Sequence, residues 1–184
     1  MITEQTIQGC IDGKRKAQRV LYEFCYPILA RVGHRYANNE EDIQEIINET
    51  FVSLIYKIDR FRTLTVSPEA YVWRAGVNKS IDLFRKSNSY RATIQLNADL
   101  PDDWKKQEGQ VESQFDKSMN VNEIMNSISA LPEMTRAVLN LFAIDGYSHK
   151  EIGEMLGIKD TLSRWHLHKG RKLMHEKLRQ KEII

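Results

Sequence analysis

Tyr71, Arg74, Asn78, Asp82 and Arg85 recur at intervals of three and four residues, with Lys79 and Lys86 on their flank. On a helix that spacing gathers them on one face. A ring stacks on an unpaired base, an amide reads a base edge and a cation meets a phosphate, so this face suits single-stranded nucleic acid. Asp82 is better placed to orient neighbouring cations than to face a phosphate. A second run, Arg164, Lys169, Arg171 and Lys172, offers donors for phosphates or base edges of duplex DNA. Bond-breaking chemistry has no comparable constellation. His166 and His168 point to opposite sides of a helix, and His168 and His175 lie two turns apart, so neither pair closes on one metal ion. There is no Ser, His and acid grouping, phosphate-binding glycine loop or HExxH motif. The expectation is a protein with no catalytic residue, no metal and no cofactor.

The elements that must position these faces read as helices. Glycine and proline are scarce and alternating apolar patterns are nearly absent. A short helix is expected after Thr3, ending near Gly13. A second spans about Lys14 to Ala37, with Ala17, Leu21, Phe24 and Ile28 inside and a kink at Pro27. Asn38 and Asn39 stop it and cap a third, whose inner stripe is Ile43, Ile46, Ile47, Thr50, Phe51, Leu54 and Ile58. The fourth starts at Ser67-Pro68-Glu69 and ends near Lys86, with Ala70, Trp73, Val77, Ile81 and Phe84 toward the core. Periodicity fades from Ser87 to about Ser118, where a flexible linker is expected. It resumes over Met119 to Ala130, and Glu133 to Ile144 forms a further helix.

Ser148 and Glu151 then make a capping box, the signature of a helix start. Gly153 supplies the small residue that two steeply crossing helices need. Gly157 tolerates the positive φ of a tight turn, and Ile152, Leu156 and Ile158 pack the inner side. With a basic helix after Asp160, this is a helix-turn-helix whose second helix enters a major groove. The motif is shared by repressors and response-regulator output domains.

Net charge is +2, so distribution matters more than sum. Basic stretches at residues 57–91 and after Lys159 flank an acidic segment holding Asp99, Asp102, Asp103, Glu108, Glu112 and Asp116. Basic blocks on an acidic tether fit two nucleic-acid-facing units. Cys10 and Cys25 read as buried thiols of a reducing compartment. No signal pattern and no membrane-spanning run appear, so a soluble cytoplasmic protein without membrane insertion is expected.

Asn39-Glu-Glu-Asp-Ile-Gln-Glu-Ile-Ile-Asn-Glu-Thr-Phe, Lys57-Ile-Asp-Arg-Phe and Ala70-Tyr-Val-Trp-Arg-Ala-Gly-Val-Asn-Lys-Ser-Ile-Asp-Leu-Phe-Arg-Lys resemble the σ2 domain of extracytoplasmic-function sigma factors of the sigma-70 family. Leu131-Pro-Glu and Gly146-Tyr-Ser-His-Lys-Glu-Ile-Gly-Glu-Met-Leu-Gly-Ile resemble their σ4 domain. The resemblance implies an all-α chain of two helical domains joined by a flexible linker. Residues 1–90 would form a four-helix σ2-like domain, 91–118 the acidic linker and 119–184 a σ4-like helix-turn-helix domain.

It further implies promoter-specific transcription initiation with core RNA polymerase, σ2 on the β′ clamp coiled coil and σ4 on the β flap. Glu41, Gln44, Glu45, Asn48 and Glu49 would carry the polymerase contact; Asn48 stands where Gln is usual, an amide of shorter reach. Arg62, Tyr71, Arg74, Asn78, Lys79, Arg85 and Lys86 would meet the −10 element, and the loop from Arg62 to Val66 would hold an unstacked base. Ser148, Lys159, Thr161, Arg164, Trp165, His168, Lys169 and Arg171 would meet the −35 element. The linker would thread polymerase channels, and an anti-sigma factor would restrain the protein.

The second helix of the motif departs from the family. Leu162 replaces a hydroxyl, Trp165 a small residue and Gly170 an alanine, the last costing about 1 kcal/mol of helix propensity. Leu162 and Trp165 would either meet thymine methyls or form an apolar patch for a further protein that delivers the chain to promoters. The competing reading of the whole chain is a DNA-binding regulator whose N-terminal domain senses a ligand or dimerises.

Overall fold

A computed structural model describes residues 2–87 and 121–181, so the linker expected at 91–118 lies outside the described residues. The fold is all-α: every regular element among the described residues is helical. None of these helices is long and apolar enough to cross a membrane. The chain packs as two units that part at residues 83–84, inside the helix that ends at Lys86, so that helix belongs almost entirely to the first unit.

In the first unit, short-range caps set the helix starts. α1 (Glu4–Ile11) begins where Thr3 Oγ1 accepts from the Thr6 amide at 3.2 Å. α2 (Arg15–Tyr36) is one continuous helix that contains Pro27. α3 (Glu40–Tyr56) starts at Asn39, whose side-chain oxygen accepts from the Asp42 amide at 2.8 Å. Such a cap stabilises a helix by about 1 kcal/mol. A 3₁₀ turn (Ile58–Thr63) follows, so Arg62 and Thr63 are helical rather than loop residues. α4 (Pro68–Lys86) opens where the Ala70 amide donates to Ser67 Oγ at 3.1 Å.

Leu21, Cys25 and Leu29 of α2 share a core with Ile43, Ile47 and Leu54 of α3 and with Ile58, Phe61 and Val72, and Val32, Ile46, Val77 and Ile81 are buried as well. Each large aliphatic side chain buried there contributes roughly 1.5–3 kcal/mol. Two details differ from expectation. Phe51 is half-buried, its ring edge-on to Tyr22. α4 turns Val72, Gly76 and Ser80 inward beside Val77 and Ile81, leaving Ala70, Trp73 and Phe84 half-buried. The reason lies at Trp73, whose indole face is covered by the Arg35 guanidinium, 4.5 Å from a ring centroid. A cation over an aromatic face is attracted by its quadrupole, so the ring sits at the rim of the core.

The second unit contains α5 (Val121–Ser129) and α6 (Glu133–Leu139), then a π turn (Asn140–Ile144), α7 (His149–Leu156) and α8 (Asp160–Lys181). The helix expected over 133–144 therefore changes register at its end: the Asp145 amide donates to the Asn140 carbonyl, five residues back, at 3.0 Å. Buried Arg136 donates to the Ser129 carbonyl at 3.0 Å, placing a cation at the C-terminus of α5. The capping box at the start of α7 is complete. Gly157 has φ 65°, and a Cβ built on Gly153 would lie 2.8 Å from the Ile158 carbonyl oxygen. The turn between α7 and α8 thus folds back onto the backbone of α7, with Ile152 and Leu156 buried beneath it.

Backbone oxygen cannot yield as a side-chain tip can. Gly153→Ala is expected to destabilise the chain by about 1–3 kcal/mol in urea unfolding. An unchanged midpoint would show that the turn opens without cost.

Candidate nucleic-acid and partner interfaces

Burial of one stripe on α3 turns Glu41, Gln44, Glu45, Asn48 and Glu49 outward, all exposed. The same face continues to Val52 and Tyr56, 50% and 85% exposed. These two escaped sequence reasoning because an apolar residue near the end of an amphipathic helix reads as core. A face that is acidic at one end and apolar at the other suits a basic partner that also brings hydrophobic contacts.

On α4 the stripe opposite the core is Arg74, Asn78, Asp82 and Arg85, all exposed, with Lys86 beside it. Tyr71 is half-buried, its ring edge-on to Phe61 at 5.2 Å, so the fold fixes one edge and leaves part of the ring accessible. Two expected members of this face are otherwise engaged. Lys79 forms an ion pair with Glu49 of α3, joining a residue assigned to polymerase with one assigned to DNA. Arg62 donates to Asp59 at 2.6 Å, to Glu4 at 2.8 Å and to Gln8 at 2.8 Å. Those bonds fasten α1 to the 3₁₀ turn, so the guanidinium is already engaged within the protein.

The helix-turn-helix presents a more selective set. Lys159 and Arg164 are exposed, and Thr161, Trp165, Lys169 and Arg171 are half-buried. Arg164 lies 4.0 Å from Asp160, a loose pair at the start of α8. The Lys169 ammonium sits over the Trp165 ring at 4.7 Å. Ser148 is exposed, but its hydroxyl and amide both donate to Glu151 within the capping box, at 2.7 and 2.8 Å. The same bonds hold the Glu151 carboxyl below its ordinary range.

Three expectations change here. Leu162 is 8% exposed and packs inward, so it meets neither thymine methyls nor a delivering protein. His168 keeps Nε2 buried, which removes that nitrogen from any groove contact. Gly170 is set by packing: a methyl there would lie 3.0 Å from Thr135 Cγ2 and 3.1 Å from Leu139 Cδ1, so its low helix propensity is offset by the approach of α8 to α6.

Cys10 and Cys25 are buried free thiols, and burial pushes Cys25 up to about 12, far from the thiolate form a nucleophile needs. Among the described residues, no group of three or more His, Cys, Asp or Glu could hold a metal ion.

Comparison with known proteins places these faces in context. The family model for sigma-70 region 2 matches residues 21–90, and the model for sigma-70 region 4 matches residues 122–174. The chain is 26% identical over 151 residues to the ECF RNA polymerase sigma factor SigE of Mycolicibacterium smegmatis, covering 80% of this chain and 56% of that protein. It is 26% identical over 174 residues to the ECF RNA polymerase sigma factor SigW of Bacillus subtilis, covering 86% of this chain and 83% of that one. The match thus spans little more than half the length of the first relative. A solved structure of the sigma factor RpoE with the anti-sigma factor NepR from Bartonella quintana is 14% identical, with TM-score 0.49, covering 91% of this chain and 97% of that one.

Beneath α8, buried His166 shares a hydrogen bond of 3.0 Å between Nδ1 and Thr135 Oγ1. Burial, with a smaller effect from the Lys169 charge, pushes His166 down to about 3 from its ordinary 6.5. The unfolded chain takes up this proton first, so the stability held by neutral His166 is complete above pH 6.5 and is lost as pH falls toward 3. Unfolding free energy should decline across that window by up to about 1.4 kcal/mol per pH unit from this group. His166→Phe should flatten the decline by close to one proton in urea titrations; an unaltered slope would assign the acid sensitivity elsewhere.

Proposed function

The chain belongs to the sigma-70 family, of the extracytoplasmic-function type, and we propose that it binds core RNA polymerase and directs promoter-specific transcription initiation. In this reading residues 1–90 form a σ2-like domain, 91–118 a linker and 119–184 a σ4-like domain, a division supported by the region 2 match over residues 21–90 and the region 4 match over residues 122–174. The observation that carries the reading is the pair of outward faces on the first unit, acidic on α3 and cationic with amides on α4, which meet at the Glu49–Lys79 ion pair.

In this reading Glu41, Gln44, Glu45 and Asn48, extended by Val52 and Tyr56, dock on the β′ clamp coiled coil. Acidic groups steer a basic partner and the apolar end gives the contact its water-excluded centre. Arg74, Asn78, Arg85 and the accessible part of Tyr71 hold the non-template strand of the −10 element, the amide at base edges and the cations on phosphates. Lys159, Thr161, Arg164, Lys169 and Arg171 meet the −35 duplex while σ4 rests on the β flap. An anti-sigma factor is the partner expected to keep these faces from polymerase. The protein acts by binding and by stabilising melted DNA, with no chemical step of its own.

The experiment is association of the full chain with core polymerase, followed by transcription from a promoter library. Glu41→Lys with Glu45→Lys should weaken association roughly tenfold or more, because like charges then face each other. Arg74→Ala with Asn78→Ala should leave association intact and reduce open-complex formation. Binding to duplex DNA by the chain alone, without polymerase, would sink this reading in favour of an ordinary regulator.

A further inference from the structure

The second helix of the motif carries an indole where its neighbours on the outer side are charged. Trp165 and Lys169 stand four residues apart, hence one above the other on α8. Helical side chains lean toward the N-terminus, so Lys169 folds back over the turn that precedes it. Its ammonium lies 4.7 Å from a Trp165 ring centroid, within the range of cation–π attraction. The charge is thereby drawn about one turn closer to the start of α8, the end that enters the groove.

The ring is itself held. Its edge meets the His166 imidazole in a T-shaped contact, centroids 4.7 Å apart at 75°. His166 is buried and bonded through Nδ1 to Thr135 of α6. A line of fixed groups thus runs from the core to the surface: Thr135, His166, Trp165, Lys169. Arg164, an outward cation one residue before the indole, is differently placed, since it has Asp160 as a counter-ion at 4.0 Å. Lys169 has an aromatic face in place of a carboxylate, which orients the ammonium without neutralising it.

We propose that Trp165 is a positioning residue that holds the Lys169 ammonium for a phosphate at the rim of the −35 groove. The inference rests on the sigma-factor reading and adds to it a division of labour. Trp165 itself reads no base; it removes the rotameric freedom that a free lysine would lose on binding. The contact is with the backbone, so it adds affinity on every −35 sequence rather than preference for one.

A phosphate contact has a signature that a merely structural role lacks, because each phosphate neutralised adds about 0.9 to the slope of log affinity against log salt. The test is formation of the promoter complex by polymerase holoenzyme carrying the full chain, over roughly 50 to 200 mM salt. Lys169→Met should lower the slope by about 0.9, making the loss of affinity across that range about 3.5-fold smaller. Trp165→Leu should lower it equally, and the double variant no further. Trp165→Phe and Trp165→Tyr, which keep a ring, should retain the wild-type slope. The proposal is overturned if Trp165→Leu keeps the full slope, if its effect adds to that of Lys169→Met, or if either ring-bearing variant loses the slope. Absence of any promoter complex with the wild-type chain would overturn the sigma reading, and this inference with it.

Discussion

Water exclusion on one side of α3 and one side of α4 governs where the first unit can act. Ile43, Ile46, Ile47 and Leu54 take the inner side of α3, and a helix periodicity of 3.6 residues then forces Glu41, Glu45 and Asn48 outward. Val72, Val77 and Ile81 do the same for α4, leaving Arg74, Asn78 and Asp82 in solvent. Neither outward face has to be specified separately. The two faces meet at one seam, where Glu49 and Lys79 neutralise each other, so the boundary between an acidic surface and a basic one is an ion pair.

Features encoded within one helical turn were legible in the sequence. Asn39, Ser67 and Ser148 each meet an amide three residues ahead, so the helix starts follow from local chemistry. The turn glycines were legible for the same reason. What depends on distant partners was not. Arg62 is bonded to Glu4 and Gln8, which lie 58 and 54 residues away, and no local pattern in the sequence announces such partners. The rotation of α4 was missed by a fraction of a turn because Trp73 keeps the spacing of an inner stripe, whereas Arg35 gives its ring face a cationic cover. Leu162 was misread because the family position, rather than the local periodicity, decided its side.

The second unit balances a dry interior against several polar groups placed within it. Thr135, Ser163 and His166 are all buried, and each takes part in a side-chain hydrogen bond or, for Ser163, accepts or donates to His149 Nδ1 at 2.9 Å. His149 in turn stacks on Phe142 with centroids 4.5 Å apart. Polar pairs of this kind fix one arrangement of α6, α7 and α8, since a sliding helix would leave their donors unmet at about 1–3 kcal/mol each. The recognition surface therefore sits on a register-locked base. His166 Nε2 is buried and has no hydrogen-bond partner among the described residues.

The fit at Gly170 has a further consequence, read in the variation among related chains. The space a methyl would need is already occupied by Thr135 Cγ2 and Leu139 Cδ1. Positions 135, 139 and 170 therefore share a single volume, and drift at one constrains the others. A relative that carries alanine at the position of Gly170 is expected to carry a smaller residue opposite it, or a slightly wider gap between the two helices. All three are buried, and substitution at them should be correlated even though position 170 lies far along the chain from 135 and 139, which stand one helical turn apart.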